Sequence, residues 1–87
     1  MSKFPKALRA LRRQYFYKQL ALANACDCSS AHISWLENGK RCPSCEMLRK
    51  LKKALVNAHA NDREVTELID QARMDIIEHR VGSVELL

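Results

Sequence analysis

The sequence contains few of the residues that interrupt regular structure. Among its 87 residues there are two glycines and two prolines. An all-β chain needs many tight turns, and those turns draw on both residue types. Apolar residues make up 47% of the chain and charged residues 29%, which is the balance of a folded protein rather than a disordered one. We therefore expect one all-α domain spanning residues 1–87.

Long apolar runs are also absent. A membrane-spanning helix needs about 18 or more consecutive apolar residues, and no such run occurs. Residues 1–5 show neither the apolar segment nor the small-residue cleavage site of a secretory signal. We expect a cytoplasmic protein with no membrane partner, in which the four cysteines are reduced unless they bind metal.

Positive charge is concentrated in the N-terminal part of the chain. Residues 1–53 hold twelve Lys/Arg and three Asp/Glu, a net charge of +9, whereas residues 54–87 hold three and seven, a net charge of −4. A basic body suggests a polyanionic partner, and the acidic C-terminal segment suggests a different role for that end. The alternative is that the basic residues are only a solvated surface.

Helical spacing of apolar residues runs through most of the chain. It predicts a first helix over residues 4–15, a second over 18–26, a third over 30–38, a fourth over 44–56 and a fifth over 62–80. Ser44 and Asp62 are placed to cap the last two helices, and Gly39 ends the third. The prediction is a compact five-helix bundle, with a connection at residues 57–61 and a loose tail at residues 82–87.

Residues 19–38 predict two short helices that cross steeply. Such a crossing needs a small residue at the contact, which is Ala23, and a turn residue that tolerates a positive φ, which is Asp27. Ser29 is placed to cap the second helix of the pair. The positions that face the shared core hold Leu22, Cys26, Cys28, Ile33 and Leu36.

The run that begins at Leu22-Ala23 and ends in Ile33-Ser34-x-Leu36-Glu37-Asn38-Gly39-Lys40-Arg41-x-Pro43-Ser44 resembles the Cro/phage-repressor (Xre-type) helix-turn-helix family. The resemblance covers residues 4–56 and implies a lambda-repressor-like DNA-binding domain. It implies that residues 30–38 are a recognition helix that enters the major groove. It places Ser30, Ala31, Ser34 and Trp35 at base edges, and Gln19, Ser29, Asn38, Lys40 and Arg41 at the DNA backbone.

Two features depart from the family pattern. Asp27 replaces the usual glycine of the turn, where it adds strain and a negative charge. The base-facing positions hold Ser, Ala, Ser and Trp instead of the Gln, Asn or Arg that make bidentate contacts. We expect more apolar contact with thymine methyl groups and more readout of DNA shape.

Several basic and aromatic residues have two readings. Trp35 contacts DNA, or it folds back onto the core or a dimer interface. His32 reaches a phosphate, or it is a half-buried structural residue. We also expect one or two of four basic residues near the N-terminus to reach phosphate. They are Arg9, Arg12, Arg13 and Lys18. On the fourth helix, Arg49, Lys50, Lys52 and Lys53 could do the same, although we favour solvation for the last two.

The four cysteines form two pairs, Cys26-x-Cys28 and Cys42-x-x-Cys45. The spacing admits a zinc site, and the second pair admits a redox switch. Cys26 and Cys28 occupy positions that the motif fills with apolar residues, and a free thiol packs there as a small hydrophobe. We favour packing and surface thiols, with no metal and no cofactor.

The fifth helix is predicted to be the dimer interface. Its apolar stripe is long for a core that four helices already close, and its outer face is acidic. The interface residues are Val65, Leu68, Ile69, Ala72 and Ile76. The alternative is a helix that docks within its own chain.

These observations predict a homodimeric transcriptional repressor that binds a palindromic operator in double-stranded DNA. No paired carboxylates, phosphate loop or activated nucleophile indicate an enzyme, and no small-molecule ligand is expected. The alternatives are the antitoxin of a toxin–antitoxin pair that holds its partner through residues 57–87, a protein-interaction module with a degenerate helix-turn-helix, and an activator.

Overall fold

The computed structural model describes the backbone of residues 3–85 and the side chains of residues 3–76. Within that range the chain forms five helices and no strand, as predicted. They are α1 (Phe4–Tyr15), α2 (Gln19–Ala25), α3 (Ser30–Glu37), α4 (Cys45–Asn57) and α5 (Asp62–Glu85). The Cα radius of gyration is 12.7 Å, close to the roughly 12 Å of a compact chain of this length. Over the same range, no helix is both long enough and apolar enough to cross a membrane.

Local signals fix most of the helix ends. The Ser29 hydroxyl accepts the N–H of His32 at the start of α3, and the Ser44 hydroxyl accepts the N–H of Met47 at the start of α4. Both predicted caps are confirmed, and each satisfies an amide that the first helical turn leaves unpaired.

Four helices end at a residue in the left-handed region. The predicted positive φ is found at Asp27 (55°) and at Gly39 (72°), and Tyr17 and His59 adopt it as well. After α3, the N–H of Lys40 donates to the Trp35 carbonyl at 2.9 Å and the N–H of Gly39 donates to the Leu36 carbonyl at 3.3 Å. This is the Schellman pattern, which pairs the last carbonyls of a helix.

Helix α5 differs from the prediction at both ends. The Asn61 side chain accepts the N–H of Arg63 at 2.9 Å, so Asn61 rather than Asp62 caps the helix. The helix continues to Glu85 instead of ending near residue 80, which corrects the expected loose tail for residues 82–85. Residues 86–87 lie outside the described range.

The core contains apolar residues from all five helices. Helix α3 packs against α1 and α2, and α5 packs against α1 and α4. The deepest side chains include Phe4, Leu8, Leu22, Ile33, Leu36, Leu51, Leu55 and Leu68.

The apolar stripe of α5 belongs largely to this core. Val65, Leu68 and Ala72 are only 3%, 1% and 0% exposed within a single chain, because α1 and α4 cover them. This corrects the prediction for these three residues, which have no free surface for a second copy. Ile69 and Ile76 are half-buried against the same core, and they alone of the five predicted interface residues keep accessible surface.

Candidate nucleic-acid interface

Helices α2 and α3 form a pair joined by residues 26–29. Ala23 is fully buried in α2, as its predicted place at the crossing requires. After α2, the N–H of Cys28 donates to the Ala23 carbonyl at 3.0 Å, and Asp27 takes the left-handed conformation that closes this turn. The turn therefore links the end of α2 directly to the start of α3, where Ser29 and Ala31 are exposed.

Helix α3 has one buried face and one accessible face. Ile33, Leu36 and Glu37 point into the protein. On the other side, Ala31 and Trp35 are exposed, and Ser30 and Ser34 are half-buried. At 3.6 residues per turn, positions i, i+1, i+4 and i+5 fall within about 140° of the helix circumference, so the four residues expected at base edges lie on one side of α3.

Trp35 lies on that surface beside the side chains of Arg41 and His32. Its side chain is 37% exposed and lies outside the core cluster. The Arg41 guanidinium carbon lies 4.5 Å from the Trp35 ring centroid, within the range of a cation–π contact. The His32 ring lies 6.2 Å from the Trp35 ring at an interplanar angle of 59°. Arg41, which was expected at the DNA backbone, is thus held over the aromatic ring of α3.

A buried ion pair attaches the end of α3 to α1. Arg12 and Glu37 are only 7% and 3% exposed. Arg12 Nε donates to Glu37 Oε2 at 2.5 Å, and Arg12 Nη2 donates to Glu37 Oε1 at 3.0 Å. Arg12 Nη1 also donates to the Tyr17 carbonyl. All three guanidinium nitrogens donate to groups inside the protein, so Arg12 has no exposed guanidinium to make the phosphate contact that was considered for it.

The sequence contains a signal for this pair in the positions of its two charged residues. Arg12 follows Leu8 by four residues, and Glu37 follows Ile33 by four. Each charged residue therefore continues the apolar stripe of its helix. A charge in such a position is buried with its helix, and a buried charge needs a partner of opposite sign.

Gln19 and Arg9 extend the contacts of Glu37. Gln19 Nε2 donates to Glu37 Oε1 at 3.4 Å, so Gln19 contacts α3 from the first residue of α2. Arg9 Nε lies 3.6 Å from the same carboxylate oxygen. The Glu37 carboxylate thereby connects α1, α2 and α3 at one point.

A second polar chain leads from α1 to the accessible face of α3. Arg9 Nη2 donates to Asn38 Oδ1 at 3.0 Å, and Asn38 Nδ2 donates to Ser34 Oγ at 3.2 Å. Because a guanidinium group only donates, Arg9 fixes which amide atom of Asn38 faces Ser34. The Ser34 hydroxyl oxygen accepts this hydrogen bond at the protein surface.

The remaining predicted backbone contacts are Ser29 and Lys40, and both are exposed. Ser29 uses its hydroxyl to cap α3. Lys40 follows Gly39 in the loop after α3. Asp27 is also exposed, so a negative charge lies at the turn before α3.

The cysteines fall into two classes. Cys26 is buried, and burial raises its pKa from 9.0 to about 11, with a further rise from Cys28 and an opposing effect of Lys50. Burial likewise raises the pKa of Cys28. Both thiols stay protonated at neutral pH and pack as apolar groups. Cys42 and Cys45 are exposed. Within the described part of the chain, no three His, Cys, Asp or Glu side chains are grouped as metal ligands.

No protein-family model, curated protein or solved structure matches this chain. The function proposed below therefore depends on the geometry of α3 and its contacts.

Proposed function

We propose that this chain is a sequence-specific DNA-binding transcriptional regulator in which α2 and α3 form a helix-turn-helix. The observation that carries the proposal is the division of α3 into two faces. Ile33, Leu36 and Glu37 fasten one face to α1 and α2. The opposite face remains accessible, and a short helix held this way can enter the major groove with its exposed side chains at base edges.

The chemistry of the accessible face suits direct contact with bases. The hydroxyls of Ser30 and Ser34 can donate to base acceptors, and the methyl group of Ala31 can contact a thymine methyl. Trp35 adds an apolar surface beside the cation of Arg41.

Contacts to the DNA backbone would come from the surroundings of α3. Lys40 and Arg41 supply charge in the following loop, while Gln19, Ser29 and Asn38 supply polar groups. Each phosphate that such a cation neutralises makes the logarithm of the binding constant fall by about 0.9 for each unit rise in the logarithm of salt concentration.

Within this proposal the chain acts in the cytoplasm as a homodimeric repressor of a palindromic operator. Two copies of α3 would enter successive major grooves about 34 Å apart, and a site that overlaps a promoter would exclude polymerase. Since Val65, Leu68 and Ala72 are buried in the monomer, the second copy would pack on Ile69 and Ile76. Sedimentation of the free protein tests this part separately.

The test is selection of binding sites from random double-stranded DNA at two salt concentrations, followed by titration of the enriched site. We expect a two-fold symmetric site. Ser30→Ala should weaken specific binding by about 0.5–1.5 kcal/mol, the net value of one hydrogen bond, and Trp35→Ala should weaken it by roughly 1 kcal/mol or more through the lost apolar contact. Thr66→Ala and Val56→Ala are the matched controls, because both residues are exposed on other helices, and they should leave binding unchanged. Salt-sensitive binding without sequence preference would overturn the proposal.

A further inference from the structure

A groove between α4 and α5 combines an apolar floor with a cationic rim. Its volume is about 440 Å3. Leu48, Ile69 and Ile76 supply the floor, and the rim carries Arg49, Lys52 and Arg73. None of the residues that the proposed function assigns to base edges or to the DNA backbone lines it, although Arg49 and Lys52 were considered above as phosphate contacts. The groove therefore belongs to a different surface from the accessible face of α3.

The charge of this groove is unbalanced. No acidic side chain is among its described lining residues. Within residues 3–76, Lys50 pairs with Glu46 at 3.8 Å, whereas none of the three rim cations has an ion-pair partner. Three cations without an ion-pair partner among residues 3–76, beside accessible apolar surface, favour a ligand that is both anionic and apolar.

We propose that this groove binds an acidic amphipathic helix of a partner protein. Such a helix carries apolar side chains at positions i, i+3 or i+4, and i+7, which match an apolar floor between two helices. Carboxylates on its flanks would lie against Arg49, Lys52 and Arg73.

Two other occupants match the groove less well. A DNA backbone would use the cations but leave Ile69 and Ile76 without an apolar partner. A second copy of this chain would cover the apolar floor, but a two-fold interface brings the same surface of both copies together. The cations of one rim would then lie near those of the other, so the dimer proposed above would occupy this face more weakly than an acidic helix, whose carboxylates neutralise the same cations.

The groove gives the partner a way to regulate the proposed repressor, and this consequence rests on the proposed function. Ile69 and Ile76 are also the residues on which a second copy would pack. A bound acidic helix would exclude that copy and shift the protein towards monomers. Monomers bind a two-fold operator more weakly, because the two half-sites are no longer linked.

The docking itself is tested without DNA. The probe is a fluorescently labelled synthetic helix with leucines in one stripe and glutamates on both flanks, and the control peptide replaces each glutamate with lysine. Anisotropy titrations with the wild-type chain should show binding of the acidic peptide alone, weakening as salt is raised.

Matched variants then locate the site. Lys52→Glu and Arg73→Glu should each weaken peptide binding by about tenfold or more. Their controls are Lys53→Glu and Arg63→Glu, which make the same charge change at exposed positions of the same helices outside the groove. These controls should change binding by less than about threefold.

Three outcomes would overturn the docking proposal. In the first, the acidic peptide does not bind the wild-type chain. In the second, the groove variants lower the affinity for the peptide no more than their controls do. In the third outcome, the groove variants reduce affinity for the selected DNA site and leave the peptide affinity unchanged, which would make the groove a phosphate contact. Because the peptide titration contains no DNA, failure of DNA binding is read separately and leaves the docking result intact.

Discussion

The substitution Glu37→Gln tests whether the buried ion pair holds α3 in place. The amide keeps the shape of the side chain but removes its charge, so the guanidinium of Arg12 stays buried without a counter-ion. Both groups lie almost entirely inside the protein, where water cannot compensate for the lost partner.

The expected loss is large relative to the total stability. Removing one member of a buried ion pair costs about 3–5 kcal/mol. A domain of 87 residues has a free energy of unfolding of roughly 4–13 kcal/mol at typical stability per residue. Glu37→Gln should therefore remove about a quarter or more of the stability. Replacing both partners, as in Arg12→Met with Glu37→Leu, should recover most of it, since no unpaired charge remains.

Urea denaturation followed by far-UV circular dichroism measures these differences. Glu46→Gln is the matched control, because Glu46 pairs with Lys50 in an exposed position and should cost less than about 0.5 kcal/mol. The reasoning is refuted if Glu37→Gln costs no more than Glu46→Gln, or if the double variant is less stable than Glu37→Gln alone.

Three further predictions concern single positions. Asn38→Ala should weaken binding to all sequences, as expected of a backbone contact, and should also broaden the base preference opposite Ser34, because the Ser34 hydroxyl loses the N–H that it accepts; weakening with an unchanged base preference would contradict the link to Ser34. Asp27→Gly should raise the free energy of unfolding by about 0.5 kcal/mol, since glycine adopts the φ of 55° without strain, and a lower melting temperature would contradict this. Between pH 9.0 and about 11 the free energy of unfolding of the wild type should fall by roughly 2–3 kcal/mol, because the unfolded chain ionises Cys26 first; the free energy of unfolding of Cys26→Ala should fall less over that range, and an equal fall would exclude Cys26 as the cause.

Local features of the chain were predictable because their causes are local. Ser29 and Ser44 cap helices through amides three residues away. Asp27 and Gly39 follow the last residues of α2 and α3, where a positive φ ends the helix. These positions are fixed by backbone chemistry that operates over a single turn, so the sequence is enough to locate them.

Long-range features were not predictable in the same way. The partner of Arg12 lies 25 residues further along the chain, and no local sequence pattern predicts which acidic residue it is. The stripe of α5 could equally have faced a second copy, because burial depends on how α1 and α4 close around it. The candidate site shows the same division, since the exposed face of α3 follows from its periodicity, whereas the link from Arg9 through Asn38 to Ser34 depends on the packing of α1 beside α3.

The position of Trp35 also decides what optical spectroscopy of this protein reports. As the single tryptophan of the chain, it supplies nearly all indole emission. That indole lies at the surface beside Arg41 and His32 rather than in the core. Its emission should therefore respond to whatever approaches α3 and to displacement of Arg41, even when the fold is intact. Fluorescence is thus a direct readout of ligand binding in this protein, and unfolding needs a separate probe such as circular dichroism.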